Sequence, residues 1–470
     1  MKSMVRVKMA IARTFFSDLL GLSHMESTTA AATAALEPAQ ELSRPQPRWG
    51  FGTRIGFRFA FAYFVLYMLP FPSEWLHLPW RQSGPNLSER WYDAAGQKIV
   101  PWVAKHILHL SKDITIFSNG SGDTTYNWVA VLCFVILAAM VTVVWSIADR
   151  KRTNYEKLHA WFRVVLRLWL AGIIGLYGMF KLYQAQFPAP YLARYLERYG
   201  DSSPMGILWT LMGASRAYTF FTGTVETLGA VLLIIPRLAT LGALVSAAAM
   251  TNVFVMNMTY DVPVKLFSFH LLLASIFVAA PDLEPLWDFF VHGRNAQLCP
   301  DAPELRRKRS RQALRIAQFA AGAYMLLFLA IGAHQQAQSI AGMPQKTPNY
   351  GIWQVDEFWL DGKLRPPLLT DNDRWQDLVI QSPGGAIIVP MNGTLDRSQA
   401  KVDEAKNTLE VTSSQPKWSA RLTYARRGDT LTLEGSEDGR PLKVTLHRVD
   451  PPFLLKTRGF HWVNEFPFNR

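Results

Sequence analysis

Long apolar stretches occupy the chain from about residue 53 to residue 333, whereas the regions before and after them are polar or mixed. A helix that spans a bilayer needs roughly 20 apolar residues, because a rise of 1.5 Å per residue must cover about 30 Å of hydrocarbon. This criterion predicts about seven spans, of which the sixth is short enough to be tilted or partly buried. They lie at approximately 53–71, 126–148, 161–183, 216–235, 238–258, 264–280 and 313–333.

After about residue 340 the pattern changes to short β-favouring segments separated by turn residues. Such segments include Thr408–Thr412, Ser419–Tyr424, Thr430–Glu434 and Leu442–His447, with Arg427-Gly428-Asp429 and Glu437-Asp438-Gly439 among the turns. Their spacing of about ten residues predicts an antiparallel meander, either an open sheet or a small barrel. The predicted fold class is therefore a polytopic α-helical membrane protein with an all-β antiparallel C-terminal domain.

These patterns divide the chain into five parts. We expect a flexible cytoplasmic tail first, because residues 24–48 combine an alanine and threonine run with prolines. The parts are 1–50 (tail), 51–159 (two spans and a long outer loop), 160–285 (four spans), 286–339 (a cytoplasmic loop and the last span) and 340–470 (the β-rich domain).

The net charge of +13 predicts orientation in a bilayer rather than nucleic-acid binding, because much of the excess lies in short segments beside the spans and no nucleic-acid motif occurs. The basic connections contain Arg150, Lys151, Arg152, Lys157, Arg237, Arg306, Arg307, Lys308, Arg309 and Arg311. Cytoplasmic loops carry such an excess of Lys and Arg. We therefore expect the N-terminus in the cytoplasm and, after an odd number of spans, residues 340–470 in the periplasm or outside an inner (plasma) membrane.

Two further segments fall on the predicted outer side. Residues 72–125 form a long loop rich in aromatic side chains. In residues 184–214, Tyr191, Tyr195 and Tyr199 recur every four residues. That spacing predicts one face of a short helix lying along the membrane interface.

Glu226 is the strongest single candidate for chemistry, because an ionisable side chain inside hydrocarbon is costly. It lies about ten residues into the fourth predicted span, roughly 15 Å from its outer end. It would be neutral, paired with a basic residue or hydrogen-bonded to a neighbouring helix. The alternative to a functional role is a structural clasp between two helices.

Other polar residues gather toward the outer ends of the adjacent spans: Lys181, Arg216, Asn252, Asn257, Asp261, Lys265 and His270. Because these ends face the same side, the side chains are expected to converge with Glu226 on one polar pocket. Glu226 and His270 are the candidate catalytic residues, and the others are candidate ligand-binding residues. Snorkelling to the interface is the alternative, and it suits Lys181, Arg216 and Lys265. Arg163 and Arg167 are expected to be cytoplasmic anchors, although Arg167 lies deep enough to pair with an acidic group.

Metal and disulfide chemistry find little support. Cys133 lies in an apolar run and Cys299 in a basic loop, so neither a disulfide framework nor a zinc site is indicated. His106 and His109 would share a helical face, but a metal site needs more ligands than this pair. No nucleotide-binding or Ser-His-Asp signature occurs.

Spans three to six resemble the DoxX/DoxD-like family of small membrane proteins. The resemblance rests on Arg167-Leu168-Trp169-Leu170-Ala171-Gly172, Gly178-Met179-Phe180-Lys181, Gly223-Thr224-Val225-Glu226-Thr227-Leu228-Gly229 and Leu232-Leu233-Ile234-Ile235-Pro236-Arg237. It covers approximately residues 160–285 and implies a four-helix transmembrane unit in which Arg167, Lys181, Glu226 and Arg237 match the motif. One branch of the family is a subunit of a thiosulfate:quinone oxidoreductase, so the resemblance implies a quinone as the possible cofactor.

Two functional hypotheses follow. In the first, the chain is a DoxX-like protein, either a quinone-linked oxidoreductase or a subunit of one, that binds a small amphipathic ligand between spans three and six. In the second, it is a non-enzymatic scaffold or accessory subunit whose residues 340–470 dock an envelope protein. A lipid or solute carrier is less favoured, because the spans show no evident internal repeat.

Overall fold

The computed structural model describes residues 48–69, 87–295, 297–298 and 307–469, apart from residues 113, 115, 117, 118, 383, 415 and 416. Most of the predicted tail 1–50, residues 72–86 of the predicted loop, Arg306 and Cys299 lie outside these residues. The described residues form two compact units. Unit 1 falls within Met1–Gly178 and Val225–Leu329, and unit 2 within Met179–Thr224 and Ala330–Arg470.

The helices follow the hydropathy pattern, with several additions. Their bounds are α1 Phe51–Met68, α2 Leu87–His106, α3 Thr125–Ala148, α4 Glu156–Leu182, α5 Leu192–Leu196, α6 Pro204–Ala214, α7 Arg216–Ile234, α8 Ala239–Thr259, α9 Lys265–His292, α10 Lys308–Ala341, α11 Met343–Lys346 and α12 Leu454–Thr457. Short 3-10 turns occupy Tyr199–Asp201 and Pro236–Leu238.

Six helices of the described part of the chain are long and apolar enough to cross a membrane, namely α3, α4, α7, α8 (with its preceding 3-10 turn), α9 and α10. This confirms a helical membrane part. Helix α1 has 18 residues, including Arg54 and Arg58, and is not among the six. The number of spans therefore depends on α1.

Two helices are longer than their apolar cores predict. Helix α9 runs for 28 residues through Pro281 and Pro285, well beyond the predicted end at residue 280. It ends where Gly293 adopts a left-handed φ of 63°, the usual conformation of a helix-terminating glycine. Helix α10 has 34 residues, about 51 Å at 1.5 Å per residue, and exceeds the hydrocarbon thickness.

The expectation for the three tyrosines of residues 184–214 is wrong. Helix α5 has only five residues, with Tyr191 at its N-cap, and Tyr199 begins a separate 3-10 turn. The three side chains therefore do not share one helical face. Instead, the Tyr195 ring stacks on Phe453 within unit 2, with centroids 4.9 Å apart.

The β-rich domain is a closed antiparallel barrel. Its strands are β1 Gly351–Leu360, β2 Lys363–Leu364, β3 Trp375–Ser382, β4 Gly385–Pro390, β5 Asp396–Asp403, β6 Thr408–Ser414, β7 Lys417–Arg427, β8 Thr430–Glu437 and β9 Arg440–Val449. Strands β3 to β9 pair in chain order, and β1 pairs with both β3 and β9, so eight strands close the ring. The short β2 extends β1 as a hairpin. The predicted meander is thus resolved in favour of a barrel.

The barrel core follows from the two-residue period of a strand. Leu442, Val444 and Leu446 of β9 alternate into the core, as do Leu431 and Leu433 of β8. On β1 the side chains that face the core are at odd positions first (Trp353 and Val355) and at even positions afterwards (Phe358 and Leu360). A bulge between Val355 and Glu357 explains this change, because one extra residue reverses the facing of every later side chain.

Two turns that the sequence predicts close the last hairpins. Arg427 pairs with Thr430 across Gly428-Asp429, where Gly428 has a φ of 60°. Glu437 pairs with Arg440 across Asp438-Gly439, with φ values of 48° and 84°. Such two-residue loops need left-handed backbone, which Gly and Asp adopt more readily than most residues.

Residues 192–198 of unit 2 pack on the outside of the barrel. Ala193 belongs to a buried cluster with Ile352, Val379 and Ile387. The Ala193 backbone N–H donates to Gln381 Oε1 at 3.1 Å, and Arg198 Nη2 donates to the Asn392 carbonyl at 2.7 Å.

Candidate functional site

His270 lies between two tyrosines of α1 and is only 2% exposed. Its Nε2 is 2.5 Å from the Tyr63 hydroxyl. The Tyr67 ring stacks on the imidazole with centroids 4.0 Å apart and planes within 5°. Trp169 of α4 in turn meets Tyr67 edge-on at 6.2 Å. Helices α1, α4 and α9 therefore surround one aromatic site in unit 1.

The hydrogen bonds of His270 define its tautomer. Nδ1 lies 2.6 Å from the Leu266 carbonyl, which can only accept, so a proton belongs on Nδ1. In the neutral ring Nε2 is then the acceptor, and the Tyr63 hydroxyl donates to it. This places an ionisable O–H···N pair within the helical unit, away from water.

Glu226 is buried at mid-helix in α7, with 3% exposure. It lies within electrostatic range of Tyr177 on α4. Gly229 lies one turn further along α7. A side-chain methyl group at this position would lie only 2.7 Å from Ser246 Oγ on α8, which shows that the two helices approach closely at this glycine. The predicted buried position of Glu226 is therefore correct.

The turn between α8 and α9 gathers several predicted residues. Asn257 Nδ2 donates to Ser268 Oγ at 3.0 Å. Lys265 Nζ pairs with Asp261 Oδ1 at 2.8 Å and lies 3.9 Å from Asp123 Oδ2. Residues Asn257 and Lys265 thus stabilise the start of α9, the helix that carries His270.

Asp123 provides the cap of α9, a role the sequence did not reveal. Its two carboxylate oxygens accept from the backbone N–H groups of Lys265 and Leu266 at 2.7 and 2.9 Å. A carboxylate at a helix N-terminus satisfies otherwise unpaired N–H groups and interacts favourably with the helix dipole. The neighbouring Gly122 N–H also donates to the Pro263 carbonyl at 2.7 Å. The end of the 72–125 segment therefore holds the α8–α9 turn.

Arg163 is a buried ion-pair partner, so its expected role as a surface anchor is wrong. Its Nη2 contacts Asp282 Oδ2, and its Nε donates to the Val278 carbonyl at 2.8 Å. Thr240 Oγ1 donates to the same Asp282 oxygen at 2.5 Å. The cluster links α4, α8 and α9. Arg167, one turn further along α4, is also buried and donates to Gln318 Oε1 at 2.8 Å.

Arg58 forms a second buried polar cluster that the sequence did not reveal. Its guanidinium donates to the Tyr155 hydroxyl at 2.7 and 3.0 Å and to Ser146 Oγ at 2.8 Å. The Tyr155 hydroxyl itself donates to Asp149 Oδ2 at 2.9 Å. These contacts attach the first part of α1 to the connection between α3 and α4.

The remaining predicted residues differ in their exposure. Asn252 and Asp261 are exposed in unit 1. Lys181 and Arg216 belong to unit 2, where Lys181 is buried and Arg216 is exposed. Within unit 1, the structure brings together Asn257, Asp261 and Lys265, and places His270 with Tyr63 and Tyr67 instead. Sequence reasoning missed both tyrosines, although their four-residue spacing in an apolar run was a visible signal.

The architecture defines a helical membrane protein with a β-barrel domain. No family model and no solved structure matches the chain. The chain is similar to an uncharacterized protein, YwoB, of Bacillus subtilis (strain 168), with 33% identity over 108 residues. The match covers 21% of this chain and 62% of the relative, so the chain spans less than two thirds of the relative's length.

Proposed function

We propose that this chain is a DoxX-like integral membrane protein that binds a small amphipathic ligand in its helical unit, with a quinone as the expected ligand. The pairing of Tyr63 with His270 carries the proposal. A quinone has two acceptor carbonyls on a flat ring, and Tyr63 O–H is a donor beside the stacked Tyr67 ring. On binding, the Tyr63 hydroxyl would donate its hydrogen bond to a quinone carbonyl oxygen instead of to His270 Nε2.

The same groups suit a proton-coupled reaction. Reduction of a quinone consumes protons as well as electrons, so it needs groups that can hold and pass on a proton. The His270 imidazole with its hydrogen-bonded Tyr63, and the buried carboxyl group of Glu226, supply such groups inside a low-dielectric unit. The electrons would come from a donor outside this chain, as the resemblance to a thiosulfate:quinone oxidoreductase subunit implies.

A direct test is ligand binding by the purified full chain in lipid nanodiscs, with decylubiquinone as the probe. Tyr63→Phe and His270→Gln are expected to weaken binding about ten-fold or more, because the first removes the donor to the quinone carbonyl and the second removes the imidazole on which the Tyr67 ring stacks. His292→Gln is the matched control, since His292 lies exposed on the same helix and bonds only to Asp288 among the described residues. Equal binding by all four proteins would rule out this site.

A measurement of quinone reduction distinguishes an enzyme from a protein that only binds the quinone. Membranes containing the wild-type chain should reduce decylubiquinone with thiosulfate as donor, and Glu226→Gln should lower the rate while leaving quinone binding intact. Wild-type rates in Glu226→Gln would exclude a role for Glu226 in proton transfer. Binding without any turnover would instead favour a non-enzymatic subunit.

We also propose an inner-membrane location with the barrel domain on the outer side. The basic connections support this orientation, because Lys and Arg favour the cytoplasmic side. In one of these connections, the backbone carbonyl of Arg152 accepts a hydrogen bond from the Arg54 side chain. The start of α1 and the α3–α4 connection therefore lie at the same end of the helices. Cysteine substitution at exposed Lys401, labelled in intact spheroplasts with an impermeant maleimide, tests it. Labelling only after lysis would place the barrel in the cytoplasm.

The second candidate is an accessory subunit that docks an envelope protein. Its support is the aromatic segment after β9, where Phe460, Trp462 and Phe466 are 76%, 91% and 83% exposed. Large exposed apolar side chains are typical of protein-binding surfaces. A photo-crosslinking residue at position 462 should capture one specific protein in membranes, whereas one at exposed Lys401 should not. Equal crosslinking patterns at the two positions would exclude docking through this segment.

A further inference from the structure

A cleft on the outside of the barrel lies beside a buried carboxyl group. The cleft has a volume of about 440 Å³ and lies entirely within unit 2. Asp377, Gln354 and Asp450 supply its polar lining. Leu196, Ile352, Val449 and Pro451 supply the apolar lining. The cleft is thus an apolar depression with a few acceptor oxygens, a composition typical of sites for small organic molecules.

Asp377 faces this cleft from strand β3. It is 8% exposed, and none of the residues that the structure describes donates a hydrogen bond to its carboxyl group. Buried carboxylates in proteins are nearly always paired or hydrogen-bonded, because removing the charge from water is costly. The carboxyl group of Asp377 is therefore available to a donor or a cation that enters the cleft.

The strand register gives Asp377 two polar neighbours. Asp377 pairs with Gln354 of β1, and Gln354 pairs with His447 of β9, so the three residues form a row across adjacent strands. His447 is engaged by Asp356, with Nδ1 2.8 Å from Oδ1. Gln354 is therefore the cross-strand neighbour of Asp377 and lines the same cleft.

The charged groups around the cleft leave a net negative lining. Asp450 is exposed at its rim and pairs with Lys456 at 3.5 Å. From the α5 side, Arg194 is already paired with Glu197. The His447 side chain lies near Asp377 but is already engaged by Asp356. Asp377 thus remains the acidic group of the cleft with no paired cation among the described residues.

We propose that this cleft binds an organic cation, with an ammonium or guanidinium head at Asp377 and an apolar stem along Leu196 and Val449. A charged donor at Asp377 would form a charge-assisted hydrogen bond, and Gln354 Oε1 would accept a second N–H. The apolar walls would cover the stem and exclude water. A lysine side chain of a partner protein and a free alkylammonium share this chemistry.

The test uses the full chain in lipid nanodiscs and n-butylammonium as the probe, with binding followed by saturation-transfer NMR. Wild-type protein should bind the cation, and Asp377→Asn should bind it about ten-fold more weakly or worse. Glu410→Gln is the matched control, because Glu410 is a surface carboxylate paired with Arg421 outside the cleft. Neutral n-butanol, which has the same stem, should bind far more weakly than n-butylammonium.

The outcomes decide the proposal. Burial raises the pKa of Asp377 to about 6, against a smaller opposing effect of His447, so butylammonium binding should weaken between pH 7.5 and pH 5. The cation site would be overturned if Asp377→Asn bound butylammonium as tightly as wild type does, or if wild type bound n-butanol as tightly as n-butylammonium. Competition by a short lysine peptide at low concentration would assign the cleft to a protein side chain rather than a free amine. A circular-dichroism spectrum identical to wild type shows that the Asn variant keeps its fold.

Discussion

Arg163 and Asp282 form a buried ion pair between α4 and α9 although they lie 119 residues apart in the sequence. Thr240 donates to the same carboxylate from α8, so three helices meet at one charge pair. Such a pair is sensitive to the loss of one partner, because the other charge is then left unpaired and buried.

Substitution of either partner should therefore destabilise unit 1. We expect Asp282→Asn and Arg163→Gln each to cost about 3–5 kcal/mol, measured as the free energy of unfolding in detergent. The double variant Arg163→Met with Asp282→Leu should recover much of this loss, because both charges are gone. Arg294, which forms a surface pair with Asp288 at 3.6 Å, is the control, and Arg294→Gln should cost less than about 1 kcal/mol.

The Tyr63 hydroxyl is expected to stabilise the fold as well as the proposed site. Tyr63→Phe leaves a buried His270 nitrogen without its donor, at a cost of about 1–3 kcal/mol. The measurement is the midpoint of thermal unfolding, followed by tryptophan fluorescence. Tyr324→Phe, on an exposed position of α10, removes the same oxygen and should leave the midpoint unchanged. A similar midpoint for both variants would show that the Tyr63–His270 bond does not hold α1 against α9.

Asp123 should control the order of the first turn of α9. Asp123→Ala removes the acceptor of the Lys265 and Leu266 N–H groups, a loss of about 0.5–2 kcal/mol for a helix cap. Hydrogen exchange of a peptide covering residues 263–268 should therefore quicken, while exchange near the middle of α9 stays slow. The conservative Asp123→Asn keeps one acceptor oxygen and should show an intermediate rate.

Two buried carboxyl groups of the barrel should each lower its stability as pH rises through the acidic range. Burial raises the pKa of Asp377 from 3.8 to about 6 and that of Glu437 from 4.5 to about 7, the latter against the opposing charge of Arg440. The folded state therefore binds these protons more tightly than the unfolded chain. Stability from them is full below about pH 4 and is lost by about pH 7, with up to about 3 kcal/mol from each group.

Urea titrations between pH 4 and pH 7.5 measure this dependence. Asp377→Asn should flatten the part of the profile between about pH 4 and pH 6, and Glu437→Gln the part up to about pH 7. Glu410→Gln, a surface variant, should leave the profile as it is. Profiles of Asp377→Asn and Glu437→Gln that match the wild-type profile would contradict the raised pKa values.

Gly435 should be the least tolerant small residue of the barrel. An added methyl group would lie 2.1 Å from the Arg421 carbonyl oxygen and 3.0 Å from the Leu422 Cα, both backbone atoms that cannot rotate away. Gly435→Ala should therefore cost about 1–3 kcal/mol or more in unfolding free energy. Gly428→Ala, at a turn with open space but a φ of 60°, should cost less.

Hydropathy predicts where a helix can cross a membrane but not where the helix ends. The prediction for α9 stops at residue 280 because Asp282 and Glu284 follow, yet the helix continues to His292. Backbone hydrogen bonding continues through polar residues, and Asp282 is accommodated by Arg163. The extent of α5 was mispredicted for a related reason, since its stability comes from packing on the barrel rather than from its own periodicity.

Strand prediction succeeds where alternation is regular. Strands β6 to β9 contain the four predicted segments, because their inward and outward residues alternate without interruption. Strand β1 was missed, because the bulge between Val355 and Glu357 breaks the two-residue period. Closure depends on the pairing of β1 with β9, and pairing between segments so distant is not encoded in the local pattern.

The sequence alone determined that Glu226 and His270 lie inside the helical unit, since apolar neighbours on both sides place them there. It also determined the turns of the barrel, since Gly and Asp permit left-handed backbone. Only the tertiary structure decided the partners: Tyr63 for His270, Asp282 for Arg163 and Asp123 for the start of α9. The physical reason is that burial follows from local composition, whereas a contact between two helices depends on their relative rotation and register, which many distant residues fix together.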